Sequence, residues 1–163
     1  MSARINSRSV PRWVPWFNHF ARRLLAAGVP MGPNALITVR GRRSGLPRTT
    51  PVTVIECSGR RWVLAPFGEV NWVRNLRAAG SATITQRRRS EQVIAVELAT
   101  DEAIVFFRDV LAPLARRYGR LVMWILRNLD KIDIENPIEA AQGRPVFELR
   151  HRDVPGEQSS SGN

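Results

Sequence analysis

The densest group of chemically useful side chains is the stretch VRGRRSGLPRTTPV, residues 39–52. Arg42, Arg43 and Arg48 fall within seven positions, Ser44, Thr49 and Thr50 add hydroxyls, and Gly41 and Gly45 punctuate the run. A guanidinium is a planar fork of donors that matches the paired oxygens of phosphate and carboxylate. Glycines free the backbone to turn tightly and to present N–H groups to a ligand. The chemistry offered is the holding of an anion. A solvated hairpin turn with ordinary surface arginines has the same spacing, and spacing alone does not separate the two readings.

A second group lies in APFGEVNWVRNLRAAG, residues 65–80. Ala65, Pro66, Phe67 and Gly68 form a loop after an apolar run, and Trp72 and Asn75 stand three apart in a short helical stretch. A ring beside an amide suits a planar ligand. Trp72 and Leu76 also have the helical spacing of residues that pack on a sheet, and on the residues alone that reading is preferred. Other chemistries are excluded. His19 and His151, the two histidines, have no cysteine or acidic cluster at ligand spacing, so no metal site is expected. The serine of GRRSG is misplaced for a nucleophile elbow, the lone lysine, Lys131, has no phosphate-binding loop, and no acidic dyad stands out. An enzyme with these residues relies on a bound cofactor for the difficult step.

The elements that must position these groups are set by a chain of 163 residues, 44% apolar, with a net charge of +11. That suits one domain over residues 10–150, flanked by a flexible stretch 1–9 and a disordered polar tail 151–163. Of the 25 basic residues 24 are arginine, so the field favours an anionic partner: nucleic acid, an acidic membrane surface or an acidic small molecule. The single cysteine, Cys57, excludes an internal disulfide and fits a reducing compartment. The N-terminal residues lack the apolar core of a signal peptide, and the longest apolar run, LVMWIL, is far below the ~20 residues that cross a bilayer. A cytoplasmic protein is expected, free or peripheral on the inner face of the membrane.

Residues 10–27 read as an amphipathic helix with Trp13, Trp16, Phe17 and Phe20 on one stripe and Arg12, Arg22 and Arg23 opposite. It suits a cap on the domain, a lid, or a helix lying on an anionic membrane, with packing on the domain as the default. Strands are expected over 35–40, 48–56, 61–65, 81–86 and 90–98, with Pro51 marking an edge or a bulge, Ser58-Gly59 a hairpin turn, and Arg87, Arg88 and Arg89 a second one. A helix over 71–79 ends at Gly80. Thr100 is the expected N-cap of a helix reaching about residue 111, and Pro113 opens another to about 128. Asn136-Pro137 starts a short helix, and residues 145–149 close with a strand. The fold class is α+β with mostly antiparallel strands.

GRRSGLPRTTPV followed by a hairpin and then NWVRNLRAAG resembles the deazaflavin-dependent nitroreductase family over about residues 24–98. The resemblance implies a split β-barrel, of the FMN-binding type, with an N-terminal helix and C-terminal helices. It implies coenzyme F420, an 8-hydroxy-5-deazaflavin, as hydride donor to a quinone, enone or nitro-type acceptor. By motif position Arg42, Arg43, Ser44, Arg48, Thr49 and Thr50 would meet the phosphate and acidic tail. Ala65, Pro66, Phe67 and Gly68 would run along the ring, Trp72 would pack near it, and Asn75 would anchor the helix. The family's lysine or serine after the strand is missing from PFGEV. Its substrate tyrosines correspond to nothing residue by residue here. Tyr118, the one tyrosine, is the candidate proton donor, with an ordinary helix-face tyrosine as the blander reading. A monomer with a small-molecule acceptor, no nucleic acid, and membrane contact through Trp13, Trp16, Phe17 and Phe20 completes the expectation. An FMN-binding barrel, a coenzyme carrier without turnover, and a basic nucleic-acid-binding module are the alternatives.

Overall fold

The structure, a computed structural model, describes residues 34–119, 126–127 and 131–152. The expected N-terminal helix, the flexible stretch before it and the tail from residue 153 lie outside these. Six strands alternate apolar with polar or charged residues: β1 (Asn34–Arg40), β2 (Pro47–Cys57), β3 (Arg60–Leu64), β4 (Ser81–Gln86), β5 (Arg89–Glu97) and β6 (Val146–His151). They close in the order β1-β2-β3-β6-β5-β4, every neighbouring pair antiparallel. β6 runs further than expected, because His151 still pairs with Val93 of β5. The ordered strand therefore extends one residue into the expected tail.

Two of the connections are two-residue turns. Ser58 and Gly59 have φ of 51° and 74°, Arg87 and Arg88 of 50° and 63°. Positive φ at both central residues matches the twist of the flanking strands. An arginine in this region costs about 1 kcal/mol against glycine, which the strand pairing on either side offsets. β2 pairs with β1 through residues 47–53 and with β3 only through 54–57. Pro51 falls in the half without a β3 partner, where its missing N–H leaves no ladder bond unmade. The expected edge exists, as half of one strand in an otherwise closed ring.

Alternation sorts the side chains into two cores. Ile37, Val39, Val63, Ile84, Val93 and Phe147 fill the barrel, joined by Val73 and Leu76 of α1 (Asn71–Ala79), which plugs one end. Fully burying each such side chain contributes about 2 kcal/mol. The outward Trp62 and Leu64 meet the second core, formed with Phe106, Phe107, Leu111, Ile132 and Val146. The Trp62 and Phe106 rings lie 5.5 Å apart, as do those of Phe106 and Phe107.

The helical layer differs from expectation in two places. α2 (Thr100–Val105) is capped at Ala99, not Thr100: the Ala99 N–H donates to the Glu102 carboxylate at 2.8 Å. A carboxylate three residues on supplies the cap, so no capping hydroxyl is needed. The helix also does not break before Pro113. A π-helical segment (Phe106–Leu111) joins α2 to α3 (Ala112–Tyr118), with the Ala112 N–H reaching back five residues to the Phe107 carbonyl. This wider turn relieves the crowding that a proline ring imposes on the turn before it. Gly119, at φ 89°, ends α3 at Tyr118. Only Leu126 and Arg127 of the expected continuation to 128 are described, and both are helical. α4 (Pro137–Ala141) starts as expected, with the Asn136 side chain accepting from the Glu139 N–H.

Glu148 is buried on the outer face of β6, opposite Trp62. It accepts from Arg60 at 2.7 Å and Arg150 at 2.8 Å, and Arg60 lies 5.1 Å from the centre of the Trp62 ring. The Arg60 hydrogen bond holds the Glu148 carboxyl below its ordinary value of 4.5. A depressed folded value means that this stability is present above the unfolded pKa and is lost as pH falls through the folded one. Glu148→Gln is expected to lower the unfolding free energy at neutral pH by about 1–3 kcal/mol. It should also flatten the loss of stability on acidification below about pH 5. Urea unfolding followed across pH checks both; a variant that loses stability in parallel with wild type overturns the assignment.

Candidate functional site

An all-antiparallel ring forces successive connections to alternate between its two ends. Of the connections between strands, one end carries the turns at 58–59 and 87–88. The other carries the basic loop 41–46, the segment 65–80 with α1, and the long helical connection 98–145. Both stretches singled out in the sequence thus meet at one lip of the barrel.

The basic loop is closed on itself. The Gly41 N–H donates to the Leu46 carbonyl and the Gly45 N–H to the Gly41 carbonyl, each at 2.8 Å. Gly45 has φ of 67°, the left-handed region that favours glycine. A Cβ on Gly41 would stand 2.8 Å from Ser44 Oγ and 3.1 Å from the Leu46 carbonyl oxygen. Both glycines are therefore required by the turn, but their N–H groups do not face a ligand as the sequence suggested. The loop's own ring of hydrogen bonds takes them. What the loop offers outward is side chains: Arg42, Arg43, Ser44 and Arg48 are all exposed.

Arg42 joins the two stretches. Its backbone N–H at 3.2 Å and its Nη1 at 2.9 Å both donate to Asn75 Oδ1. Asn75 is buried in α1, with Val73 and Leu76 beside it in the barrel core. A buried amide oxygen needs donors, and the arginine of the loop supplies two. The helix is tied at its other side by Arg77, which donates to Glu69 at 2.5 Å and to both Glu97 oxygens at 2.6 Å. The Arg77 hydrogen bond lowers the Glu69 pKa.

The loop before α1 passes through the core. Ala65 is fully buried, its N–H donating to the Pro145 carbonyl at 2.9 Å. Gly68 has φ of 79°, and a Cβ there would meet the Gly143 carbonyl oxygen at 2.8 Å. Pro66 and Phe67 are half-buried beside it. Trp72 is half-buried, its ring centre 6.2 Å from that of Phe147, so it packs on the barrel core and leaves part of its surface open.

Register separates the remaining candidates. Thr49 pairs with Thr38, the two hydroxyls 2.8 Å apart, while Arg48 pairs with Val39 and Thr50 with Ile37. Cross-strand partners share a face, so Arg48 and Thr50 lie on the face of the barrel core and Thr49 on the opposite one. Tyr118 ends α3, 66% exposed, in the helical layer over β3 and β6. These strands stand across the ring from β1. Among the described residues no cluster of three metal-binding side chains is found. Sequence reading missed a groove of about 540 Å³ beside the basic loop, lined in part by Thr38, Arg40, Gly45, Thr83 and Gln92. Its residues come from separate strands, and only the pairing register brings them together.

Several arginines are matched with carboxylate: Arg60 and Arg150 with Glu148, Arg61 with Glu91, Arg77 with Glu69 and Glu97, Arg108 with Asp109, Arg116 with Glu135. No such partner is found among the described residues for Arg42, Arg43 or Arg48. The basic loop therefore presents three guanidinium groups with no carboxylate against them among the described residues. Asn75→Ala is expected to destabilise the fold by about 1–3 kcal/mol and to free the loop. Trypsin should then cut after Arg42 and Arg43 well before global unfolding; an unchanged cleavage rate at these bonds overturns the anchoring role.

The family model of the F420H(2)-dependent quinone reductases matches residues 17–132. No curated protein matches the chain. Among solved structures, a chain described as a domain-swapped dimer is 19% identical with a TM-score of 0.44, covering 83% of this chain and 98% of its own. An F420-H2 dependent reductase is 19% identical with a TM-score of 0.46, covering 72% and 94%. The heme storage protein HutZ from Vibrio cholerae is 13% identical with a TM-score of 0.51, covering 78% and 87%. At that identity the likeness to HutZ concerns the fold alone.

Proposed function

The chain belongs to the F420H(2)-dependent quinone reductase family, and from this membership we propose which residues receive the coenzyme and how the lip serves the reaction. The protein is an oxidoreductase of the split-barrel class and uses coenzyme F420. When bound, the reduced deazaflavin supplies a hydride from its ring carbon to the electrophilic acceptor, a quinone or, by the same electron demand, an enone or nitro compound.

One observation carries the assignment. Arg42 is anchored by a neutral buried amide, and Arg43 and Arg48 stand beside it without a carboxylate among the described residues. Phosphate and carboxylate oxygens of the coenzyme fit that donor set. In our reading Arg42, Arg43, Ser44 and Arg48 hold the anionic arm, with Thr50 on the same face as Arg48. Thr49 turns to the other face, where its hydroxyl meets that of Thr38. Pro66 and Phe67, half-buried, give the wall for the planar ring, Ala65 and Gly68 hold it in place from their buried positions, and the open part of Trp72 extends it. Asn75 acts through Arg42 as a positioning residue. The wall orients donor against acceptor and keeps water from the transfer path. The acceptor's proton comes from solvent at this exposed lip, so this reading does not require Tyr118.

Deazaflavin fluorescence titration tests the site. Saturable binding by wild type and weakening by about 30-fold or more in Arg42→Ala, Arg48→Ala are expected, since two charge-assisted contacts are lost. Turnover of menadione should fall with it. Absence of binding by folded wild type overturns the assignment.

We also propose that the chain meets an anionic membrane through Trp13, Trp16, Phe17 and Phe20, residues outside those described. Aromatics opposite arginines suit the interface, and no helix among the described residues is long and apolar enough to cross it. Co-sedimentation with anionic vesicles at low salt, released by high salt, is the expected result. A chain that stays in the supernatant at low salt rules this contact out.

A further inference from the structure

A guanidinium is buried on the link between α4 and β6: Arg144 is 3% exposed. Burying a charge is costly unless its donors are met. Arg144 Nη1 donates to the Ala140 carbonyl at 2.9 Å and to the Glu139 carbonyl at 3.3 Å, and Nη2 donates to the Lys131 carbonyl. The first two belong to the last turn of α4, the negative end of that helix. The third belongs to a residue at φ 55°, in the left-handed region. One side chain so gathers two separate parts of the long connection, position 131 and positions 139–140.

The residues on either side of Arg144 reach the loop before α1. The Gly143 carbonyl oxygen closes on Gly68, where a Cβ would stand 2.8 Å from it. The Pro145 carbonyl accepts the Ala65 N–H at 2.9 Å, and Val146 pairs with Leu64 at the end of the β3–β6 ladder. The backbone of 143–146 therefore meets both ends of the loop 65–68. We propose that Arg144 is a positioning residue for hydride transfer, an inference that rests on the assignment of that loop to the deazaflavin ring. By clamping the helical connection it sets where Gly143 and Pro145 stand, and through them the placement of Pro66 and Phe67 against the ring. The clamp needs a planar fork of donors, which the compact ammonium of a lysine does not reproduce. Arg144 itself touches neither coenzyme nor acceptor in this reading. Transfer is sensitive to placement, since a displacement of about 1 Å can cost about 100-fold in rate. Affinity is less sensitive, because the basic loop holds the anionic arm.

Arg144→Lys and Gly143→Ala test the clamp. Gly143 is exposed at φ 66° with nothing within 4 Å of a Cβ, so an alanine there strains the backbone without a clash. In both variants kcat with menadione is expected to fall at least about tenfold, while the Kd of coenzyme F420 from fluorescence titration changes by less than about threefold. With protein in excess, the fluorescence anisotropy of the bound coenzyme should fall too, because the arm stays held and the ring is loosened. A role in stability alone would lower the melting temperature and leave kcat per folded molecule and anisotropy at their wild-type values. That result in Arg144→Lys overturns the proposal. If Arg144→Lys does not fold, Gly143→Ala decides, and unchanged kcat and anisotropy there overturn it equally. Failure of folded wild type to bind the coenzyme is a different outcome, read without any variant, and it overturns the ring assignment and this proposal with it.

Discussion

Closure of six strands into an all-antiparallel ring is the constraint on which the rest depends. Such a ring leaves little free edge, only the half of β2 that lacks a β3 partner, and it leaves the connections no choice of end. Two of them are minimal turns, so the chain's three long excursions all emerge at one lip. The basic loop and α1, separated by 33 positions at the Arg42–Asn75 bond, become neighbours for that reason. The helical layer then covers the outside of β3 and β6, giving the protein a second core separate from the barrel's.

Charge is distributed unevenly over this frame. Away from the lip many arginines lie against a carboxylate, and Glu148 serves two of them from a buried position. Such pairs stabilise modestly because their arginines remain in water. In the basic loop Arg43 and Arg48 are exposed and Arg42 donates to a neutral amide. A net charge of +11 is therefore more than a matter of solubility, since part of it is concentrated in the loop proposed to receive the coenzyme's anionic arm.

Much of this was legible in the sequence because it is local. The helix over 71–79 with its terminal Gly80, the hairpin turns and the Asn136 cap each depend on a few adjacent residues, and each appears as expected. The motif resemblance supplied the barrel and the coenzyme. What escaped reading is non-local or compensated. A glutamate at position 102 replaced the cap expected of Thr100, and a π turn carried the helix through Pro113. The N–H groups of Gly41 and Gly45 closed the loop instead of opening it. The groove with Arg40 and Thr83 depends on which strand lies beside β1, and alternation along any one strand cannot reveal that.

The double hydrogen bond from Arg42 to Asn75 has a kinetic and entropic meaning. It is made wholly within the chain, so folding itself restricts the rotamer freedom of Arg42 and the wandering of the loop. An unrestrained arginine gives up about 1 kcal/mol of such freedom at the moment of association. Arg42 has part of that freedom removed by its own chain. On the proposed assignment, capture of an anionic arm is then governed by diffusion and salt more than by any closing motion of the loop.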